Sequence, residues 1–217
     1  MTIRLLLADD HRMMREGLRS LLEAQDDFEV IGEVENGRDA VRQTRALRPD
    51  VVVMDIGMKE LNGVEATRRV RAESPQVEVV VLSTYAHEEY VLSALEAGAC
   101  GYVLKISAHE ELVEAIRAAA RGHRFLSPAI TGIVVDAGVQ GALLARDPSH
   151  ARLSGREREV LQLVAEGRTS GEVAARLHLS TRTVEQHRRR IMDKLDLHTV
   201  AELTKYAIRE GIVPLEE

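Results

Sequence analysis

The first half of the chain alternates short apolar runs with amphipathic stretches that are long enough for helices. Apolar runs of about four to eight residues are typical of strands buried on both faces of a parallel sheet, and the stretches between them suit crossover helices. The runs cover residues 3–8, 28–34, 51–54, 77–82 and 100–104. The pattern therefore predicts an α/β fold with a doubly wound, five-stranded parallel sheet.

Charged and polar side chains stand where the predicted strands end. Asp9 and Asp10 follow the first run, Asp55 follows the third, Ser83 the fourth and Lys105 the fifth. Ligands of doubly wound sheets bind at the carboxyl ends of the strands, so we expect these groups to converge. Converging carboxylates either shift a pKa or bind a cation, and Mg²⁺ binds through one or two carboxylates, which leaves one aspartate free as a nucleophile. The arrangement indicates aspartyl phosphorylation chemistry, with Lys105 neutralising and Ser83 hydrogen-bonding the phosphoryl group.

Each of these residues also has a simpler interpretation. Asp9 and Asp10 suit the N-cap and first turn of a helix. A strand-end serine commonly lies in a turn, an isolated lysine in solvent, and an aromatic residue such as Tyr102 at the rim of a sheet. The functional interpretation therefore depends on the conjunction of these residue types at strand ends in one chain order.

Four short motifs carry these residues: ADD ending at Asp10, VVVMDIGM around Asp55, VVVLS ending at Ser83 and GYVLK ending at Lys105. Over about 120 residues they resemble the flavodoxin-like receiver domains of two-component response regulators, with separations of 28 residues from Asp55 to Ser83 and 22 from Ser83 to Lys105. One departure is Lys59, which follows Met58 where receivers commonly have proline.

The receiver resemblance implies a role for each of these positions. Asp55 would accept phosphate from a sensor histidine kinase, with Lys105 beside it and with Ser83 and Tyr102 as the switch pair. The implied cofactor is Mg²⁺, coordinated by Asp10, Asp55 and the carbonyl of Gly57 and ordered through water by Asp9.

A region rich in proline, glycine and small residues follows the predicted sheet. It contains Pro128, Gly132, Gly138, Gly141 and Pro148, which favour a connector with one short helix from about residue 128 to 137. We therefore predict a receiver domain over residues 1–122, a linker over 123–150 and a second domain over 151–217.

The second domain has the pattern of a compact helical unit. Ser154 followed by Glu157 fits a capping box, and Ser170 is a candidate cap for the next helix. Ser180 would cap a third helix, whose inward stripe is Val184, Ile191 and Leu195. A short helix, a brief turn and a helix with a polar outer face are typical of a helix-turn-helix domain, whose second helix enters the major groove of DNA.

Charge is distributed unevenly along the chain. The net charge of −6 divides into −7 for residues 1–122 (15 basic, 22 acidic) and +1 for 123–217 (14 basic, 13 acidic). Residues 180–195 contain five basic side chains and only two acidic ones. Positive charge on one predicted helix favours double-stranded DNA as a partner, although such a run alone is more often a solvated helix face.

The motifs LSGREREVL, LSTRTVEQH and KL span about 60 residues and resemble LuxR-type DNA-binding domains. With the receiver, they make the chain similar to response regulators of the NarL/FixJ type. The resemblance implies groove-facing positions at Glu185, Gln186 and Arg189 and dimer contacts through the terminal helix. We expect phosphorylation to promote a homodimer, because two linked helix-turn-helix units gain effective concentration on paired half-sites of DNA. Further predicted DNA-binding residues are Ser180, Thr181, Arg182 and Lys194, with phosphate contacts expected from Ser180, Thr181 and Lys194.

Other features narrow the setting. A single cysteine, Cys100, excludes an internal disulfide framework and favours a reducing compartment. The apolar run at residues 5–8 is too short for a signal peptide or a membrane span, so we expect a cytoplasmic protein with no membrane partner. We expect a DNA-binding transcriptional regulator that is not an enzyme, and two alternative functions remain to be compared with it. One is a phosphatase of the haloacid dehalogenase kind, disfavoured because Asp9 and Asp10 are adjacent rather than in a DxD motif. The other is a DNA-binding protein whose receiver only dimerises.

Overall fold

The computed structural model describes residues 2–143 and 153–213. The chain divides into two compact units, Met1–Val139 and Gln140–Glu217.

The first unit is built on a fully parallel sheet in the order β2-β1-β3-β4-β5-β6. The strands are β1 (Ile3–Ala8), β2 (Phe28–Val34), β3 (Val51–Asp55), β4 (Glu78–Ser83), β5 (Gly101–Leu104) and β6 (Phe125–Leu126). The doubly wound parallel sheet is confirmed, and its five long strands lie where the apolar runs predicted them. The strand count was wrong by one: β6 pairs with β5 within the region predicted as a linker.

Five helices cover the two faces of this sheet: α1 (Arg12–Glu23), α2 (Gly37–Leu47), α3 (Gly63–Glu73), α4 (Glu88–Glu96) and α5 (Ala108–Ala119). Side chains alternate between the faces of a strand. Leu5 and Leu7 accordingly pack with α1 and α5, whereas Leu6 packs with α2 and α3. The fold thus leaves the carboxyl ends of β1, β3 and β5 together at one edge.

A further helix, α6 (Pro128–Leu143), follows β6 and belongs to the first unit over its initial turns. Ile130 is fully buried in a cluster with Tyr90 and Tyr102, and the Ser127 hydroxyl donates a hydrogen bond to the Glu111 carboxylate. The helix predicted to end near residue 137 continues to Leu143, through Gly138 and Gly141, although glycine has a low helix propensity. The last part of the predicted linker, residues 144–150, lies outside the described residues.

The second unit contains α7 (Gly155–Ala165), α8 (Ser170–Leu177), α9 (Thr181–Leu195) and α10 (Val200–Arg209). The predicted capping box of Ser154 and Glu157 is present. The predicted cap at Ser170 was wrong. Thr169 caps α8 instead, since it stands three residues before Glu172 and forms a reciprocal capping box with it.

The helices of the second unit pack around one apolar core. Val184 and Ile191 of α9 are fully buried against α7, α8 and α10, and Leu195 is partly buried. The inward stripe predicted for α9 is therefore present. Within residues 2–143 and 153–213, no helix has the length and apolar character needed to span a membrane.

Candidate functional sites

A buried cluster of opposite charges lies where β1, β3 and β5 end. The Asp9 and Asp55 side chains are buried, and Lys105 lies between them. Its Nζ is 2.7 Å from Asp9 Oδ2 and 3.1 Å from Asp55 Oδ1. The Lys105 side chain is only 8% exposed, so its simpler interpretation as a solvated lysine was wrong.

The turn between β1 and α1 arranges the acidic pair. Asp9 Oδ1 accepts a hydrogen bond of 2.8 Å from the backbone N–H of His11. His11, not Asp9 or Asp10, is the N-cap residue of α1. The acidic pair therefore lies before the helix, and the simpler interpretation of these aspartates as the N-cap and a first-turn acid was wrong.

Several oxygen atoms at this edge suit a hard cation. One potential ligand atom from each of Asp9, Asp10, His11 and Asp55 lies within 4.8 Å of the others. Asp10 Oδ1 is buried and accepts no hydrogen bond from any described residue, although His11 Nδ1 is 2.9 Å away. Leaving such an oxygen unpaired is costly, and a coordinated Mg²⁺ would remove that cost. The residues present therefore fit the cation, and His11 is a neighbour that the sequence reasoning missed although it directly follows Asp10.

Gly57 lies beside the Asp55 carboxylate in the loop after β3. A Cβ on Gly57 would lie 3.7 Å from Asp55 Oδ2. The loop is held by the side chains of Met58 and Leu61, both buried, while Lys59 is exposed. The Leu61 N–H donates to the Lys59 carbonyl at 2.9 Å, so the loop closes without the proline common in receivers.

Burial and charge set the protonation of the cluster. Burial raises the pKa of Asp55 to about 6, with Asp9 adding to the shift and Lys105 opposing it. Burial by itself would lower the pKa of Lys105, but the carboxylates of Asp55 and Asp9 outweigh it and raise that pKa. Near neutral pH Lys105 is therefore a cation beside an ionised Asp55.

Ser83 and Tyr102 meet at the same short segment. Both side chains are fully buried, so the interpretation of Tyr102 as a rim residue was wrong. Ser83 Oγ accepts from the N–H of Tyr85 at 3.0 Å, and the Tyr102 hydroxyl donates to the Tyr85 carbonyl at 2.6 Å. The ring of Tyr85 stacks on Tyr90 with centroids 4.7 Å apart. Ser83 and Tyr102 therefore both hydrogen-bond to the backbone of Tyr85, so a displacement of the Ser83 hydroxyl would disturb the residue that Tyr102 also holds.

A second set of predicted site residues shares the exposed face of α9. Arg182, Glu185, Gln186 and Arg189 are exposed on the side of the helix away from the buried Val184 and Ile191, and Thr181 is exposed in the first turn. Ser180 caps the helix: its Oγ accepts from the Thr183 N–H at 3.1 Å and lies 2.8 Å from Thr183 Oγ1.

Lys194, at the C-terminal end of α9, pairs within the second unit. Its Nζ lies 2.7 Å from Oε2 of Glu157, a carboxylate with only 6% exposure in the capping box of α7. This ion pair was not predicted, and it gives Lys194 a structural role. Its predicted DNA contact stays a prediction.

Comparison with known proteins decides the family. Residues 5–117 match the model of the response regulator receiver domain, and residues 151–207 match that of bacterial regulatory proteins of the luxR family. The transcriptional regulatory protein LiaR of Bacillus subtilis is 39% identical over 97% of this chain and 99% of its own length. This chain is a LuxR-type response regulator. The family confirms the sequence resemblance and the expectation of a transcription regulator with no enzyme function.

Solved structures agree with this membership. The chain is similar to the response regulator RcsB in its complex with DNA, with 25% identity, a TM-score of 0.60 and coverage of 97% of this chain and 99% of that one. It is also similar to RcsB in a structure of two dimers bound to two parallel DNAs, with 25% identity, a TM-score of 0.59 and the same coverage.

The raised pKa of Asp55 predicts a pH dependence in the absence of Mg²⁺. Because the folded response regulator binds this proton more tightly than the unfolded chain, stability falls as pH rises from about 4 to about 6. Above that window the ionised Asp55 costs on the order of 3 kcal/mol, which a bound cation offsets. We expect Mg²⁺ to raise the thermal midpoint more at about pH 7.5 than at about pH 5.

Thermal unfolding of wild type, Asp55→Asn and Asp26→Asn, followed across pH with EDTA or Mg²⁺, checks this expectation. Asp26 is exposed in the same unit and serves as the matched control. Parallel pH curves for wild type and Asp55→Asn would show that Asp55 does not carry the effect.

The Lys194 ion pair predicts a loss of stability in Lys194→Met. Although burial opposes it, the hydrogen bonds from Lys194 and Ser154 hold the pKa of Glu157 below its usual range. Without Lys194 a buried carboxylate loses its cation, and because Lys194 itself is 41% exposed we expect a loss of about 1 to 2 kcal/mol. A carboxylate with a lowered pKa stabilises only while ionised, so the difference from wild type should shrink as pH falls below about 4.

Denaturant unfolding with Arg190→Met as the control measures this difference, since Arg190 is an exposed basic residue of the same helix. Equal stability of the two variants at neutral pH would contradict the structural role of Lys194.

Proposed function

We propose that this response regulator accepts a phosphoryl group on Asp55 from a sensor histidine kinase in the cytoplasm and then binds paired half-sites in double-stranded DNA as a homodimer. The observation that carries the proposal is the Lys105 ammonium, which contacts both Asp9 and Asp55 in a buried site. A fixed cation beside a buried carboxylate is suited to an incoming group that carries negative charge.

Asp55 is the best candidate for the nucleophile among the three aspartates. Both oxygens of Asp9 have partners, the N–H of His11 and the ammonium of Lys105. Asp10 offers a buried oxygen without a hydrogen bond, which suits a cation ligand. Asp55 lies between Lys105 and the loop that carries Gly57, where a transferred phosphoryl group would meet a positive charge.

The cation site is proposed to hold Mg²⁺. Asp10, Asp55 and the Gly57 carbonyl would bind it, and Asp9 would order it through water. When bound, Mg²⁺ neutralises charge on the phosphoryl oxygens and on the acidic cluster.

Lys105 and Ser83 would orient the phosphoryl group, and Ser83 and Tyr102 would couple phosphorylation to a change in the neighbouring backbone. Lys105 would hold one phosphoryl oxygen through its ammonium, and the Ser83 hydroxyl would donate a hydrogen bond to another. Ser83 Oγ accepts from the Tyr85 N–H, so a hydrogen bond donated by the same hydroxyl to a phosphoryl oxygen would link that oxygen to the Tyr85 backbone. A shift of Ser83 would move the Tyr85 segment, which the Tyr102 hydroxyl also holds.

The exposed face of α9 is proposed to read DNA. Arg182, Glu185, Gln186 and Arg189 face outward, where base edges are within reach of a helix in the major groove. Ser180 and Thr181 lie at the N-terminus of α9, where backbone N–H groups favour phosphate. The similarity to RcsB in its DNA complex supports this assignment.

Phosphorylation is expected to strengthen dimerisation by about tenfold, a coupling of about 1.4 kcal/mol. Two linked helix-turn-helix units gain effective concentration on paired half-sites, which gives dimerisation a direct effect on DNA binding. Sedimentation velocity of the full chain with and without a small phosphodonor and Mg²⁺ measures the change, with Asp55→Asn as the control. An unchanged association constant for the phosphorylated chain would favour a receiver that dimerises without phosphate.

The overall proposal is tested by selecting bound sequences from random DNA with and without the phosphodonor. We expect a two-fold symmetric motif whose enrichment rises on phosphorylation of wild type and stays flat for Asp55→Asn. Equal enrichment with and without the phosphodonor would support DNA binding but contradict its control by phosphorylation.

A further inference from the structure

Arg15 of α1 is a buried cation beside the acidic turn, the segment between β1 and α1 that carries Asp9 and Asp10. The functions described above do not use it. Its side chain is 8% exposed. One terminal nitrogen donates to the backbone carbonyl of Asp9 at 2.6 Å, the other to Glu35 Oε1 at 2.5 Å, and Nε lies 3.8 Å from Glu33 Oε2. A buried guanidinium is expensive to desolvate, so its place calls for a specific interaction.

The contact with the Asp9 carbonyl matters because of what that carbonyl belongs to. It is part of the peptide group that joins Asp9 to Asp10, directly after β1. The Asp9 N–H is bound to the Val34 carbonyl at 3.2 Å, and its carboxylate is held by His11 N–H and Lys105. With Arg15 on its carbonyl, every polar group of Asp9 has a partner.

Asp10 has weaker support than Asp9. Its Oδ1 accepts no hydrogen bond from the described residues, and the atom close to it is Nδ1 of the exposed His11 ring, at 2.9 Å. The orientation of Asp10 therefore depends mainly on the backbone that carries it. A planar peptide has no rotation about its C–N bond, and fixing the Asp9 carbonyl therefore fixes the plane from which Asp10 projects. Arg15 has a rigid fork of donors, which lets it hold this carbonyl and Glu35 at once.

We propose that Arg15 is a positioning residue of the cation site: by binding the Asp9 carbonyl it holds the Asp10 carboxylate in the direction needed for the divalent cation. This inference rests on the proposed function, in which Asp10 is a Mg²⁺ ligand. Arg15 itself is a cation and does not touch the metal.

Arg19 provides a matched control one helical turn further along α1. It pairs with the same Glu33 at 2.7 Å and with Glu23 at 2.8 Å, and its side chain is 48% exposed. The two arginines share charge, helix and a partner. Of the two arginine side chains, only that of Arg15 donates a described hydrogen bond to the backbone between β1 and α1.

The experiment titrates Mg²⁺ alone into the full chain by calorimetry, using wild type, Arg15→Met, Arg19→Met and Arg15→Lys under conditions where unfolding curves show each to be folded. We expect Arg15→Met to raise the Kd for Mg²⁺ by about tenfold and Arg19→Met to change it by less than about twofold. Arg15→Lys should recover part of the loss, since an ammonium can reach one acceptor but not hold two. The amide NMR signal of Asp10 should shift in Arg15→Met and stay in place in Arg19→Met.

The possible outcomes separate this inference from the proposed function. Equal Mg²⁺ affinities for Arg15→Met and Arg19→Met, with a lower stability for Arg15→Met, would make Arg15 a packing residue and overturn the inference alone. A wild type that binds no Mg²⁺ would overturn both the cation site and the inference. If Arg15→Met does not fold, the Mg²⁺ affinities of Arg15→Lys and Arg19→Lys are compared instead. A Kd about threefold higher in Arg15→Lys supports the positioning role of Arg15, and equal Kd values overturn that role.

Discussion

Asp55→Asn is expected to reduce incorporation of labile phosphate from a small phosphodonor to background. The carboxylate of Asp55 is the group that would form the acyl phosphate, and the amide of asparagine is a poor nucleophile with no charge to match Lys105. The substitution keeps the size of the side chain and leaves Lys105 paired with Asp9 at 2.7 Å. The folded cluster should therefore persist while the chemistry is lost.

Trapping of the labile phosphate followed by mass spectrometry locates it directly. Asp26→Asn, an exposed aspartate of the same unit, should retain the full stoichiometry. Phosphate that persists in Asp55→Asn at the wild-type stoichiometry would assign the nucleophile to another residue. Asp10 would then be the first alternative, because its Oδ1 accepts no hydrogen bond within the described residues.

The sequence predicts the sheet well because its strands are buried on both faces. Each long strand then appears as a continuous apolar run, and β1 and β2 begin and end at the residues predicted. β6 has only two residues, which is too few for any periodic signal. Residues of α6 have low intrinsic helix preference, and this helix is stabilised by tertiary contacts such as those of Ile130, which a local pattern does not contain.

The candidate phosphorylation site was predictable to the extent that the topology of the fold determines it. Parallel strands bring their carboxyl ends to one edge, which places Asp9, Asp55 and Lys105 together from sequence order alone. Contacts that depend on the direction of a long side chain were not predictable. Arg15 reaches back to the Asp9 carbonyl, and Lys194 reaches a carboxylate 37 residues earlier in the chain.

The buried position of Tyr102 shows a different limit of sequence reasoning. A tyrosine near a strand end is compatible with both the rim and the interior, because its hydroxyl needs only one partner. Here the Tyr85 carbonyl supplies that partner inside the fold. The Tyr85 segment follows β4, and its position relative to Tyr102 depends on packing against Tyr90, which lies in a different element.

Arg189→Ala is expected to weaken binding to the preferred DNA site by about tenfold to a hundredfold and to relax the preference at one or two base pairs of each half-site. Arg189 is exposed on the face of α9 opposite Val184 and Ile191, so its guanidinium can pair with a guanine edge through two hydrogen bonds. Such a contact supplies about 1 to 3 kcal/mol of discrimination. Binding to unrelated sequences should change little, because those complexes depend on phosphate contacts.

The appropriate control is another exposed arginine of the second unit that lies outside α9. Arg168, in the turn between α7 and α8, is exposed and carries the same charge, so Arg168→Ala tests whether removing a charge suffices. Lys194→Met is unsuitable, because its loss also leaves Glu157 without its cation. Binding is measured against a library of half-site variants at several salt concentrations. A uniform loss across sequences in Arg189→Ala, with a salt slope lower by about one, would place Arg189 on the phosphate backbone and would require a different docking of α9.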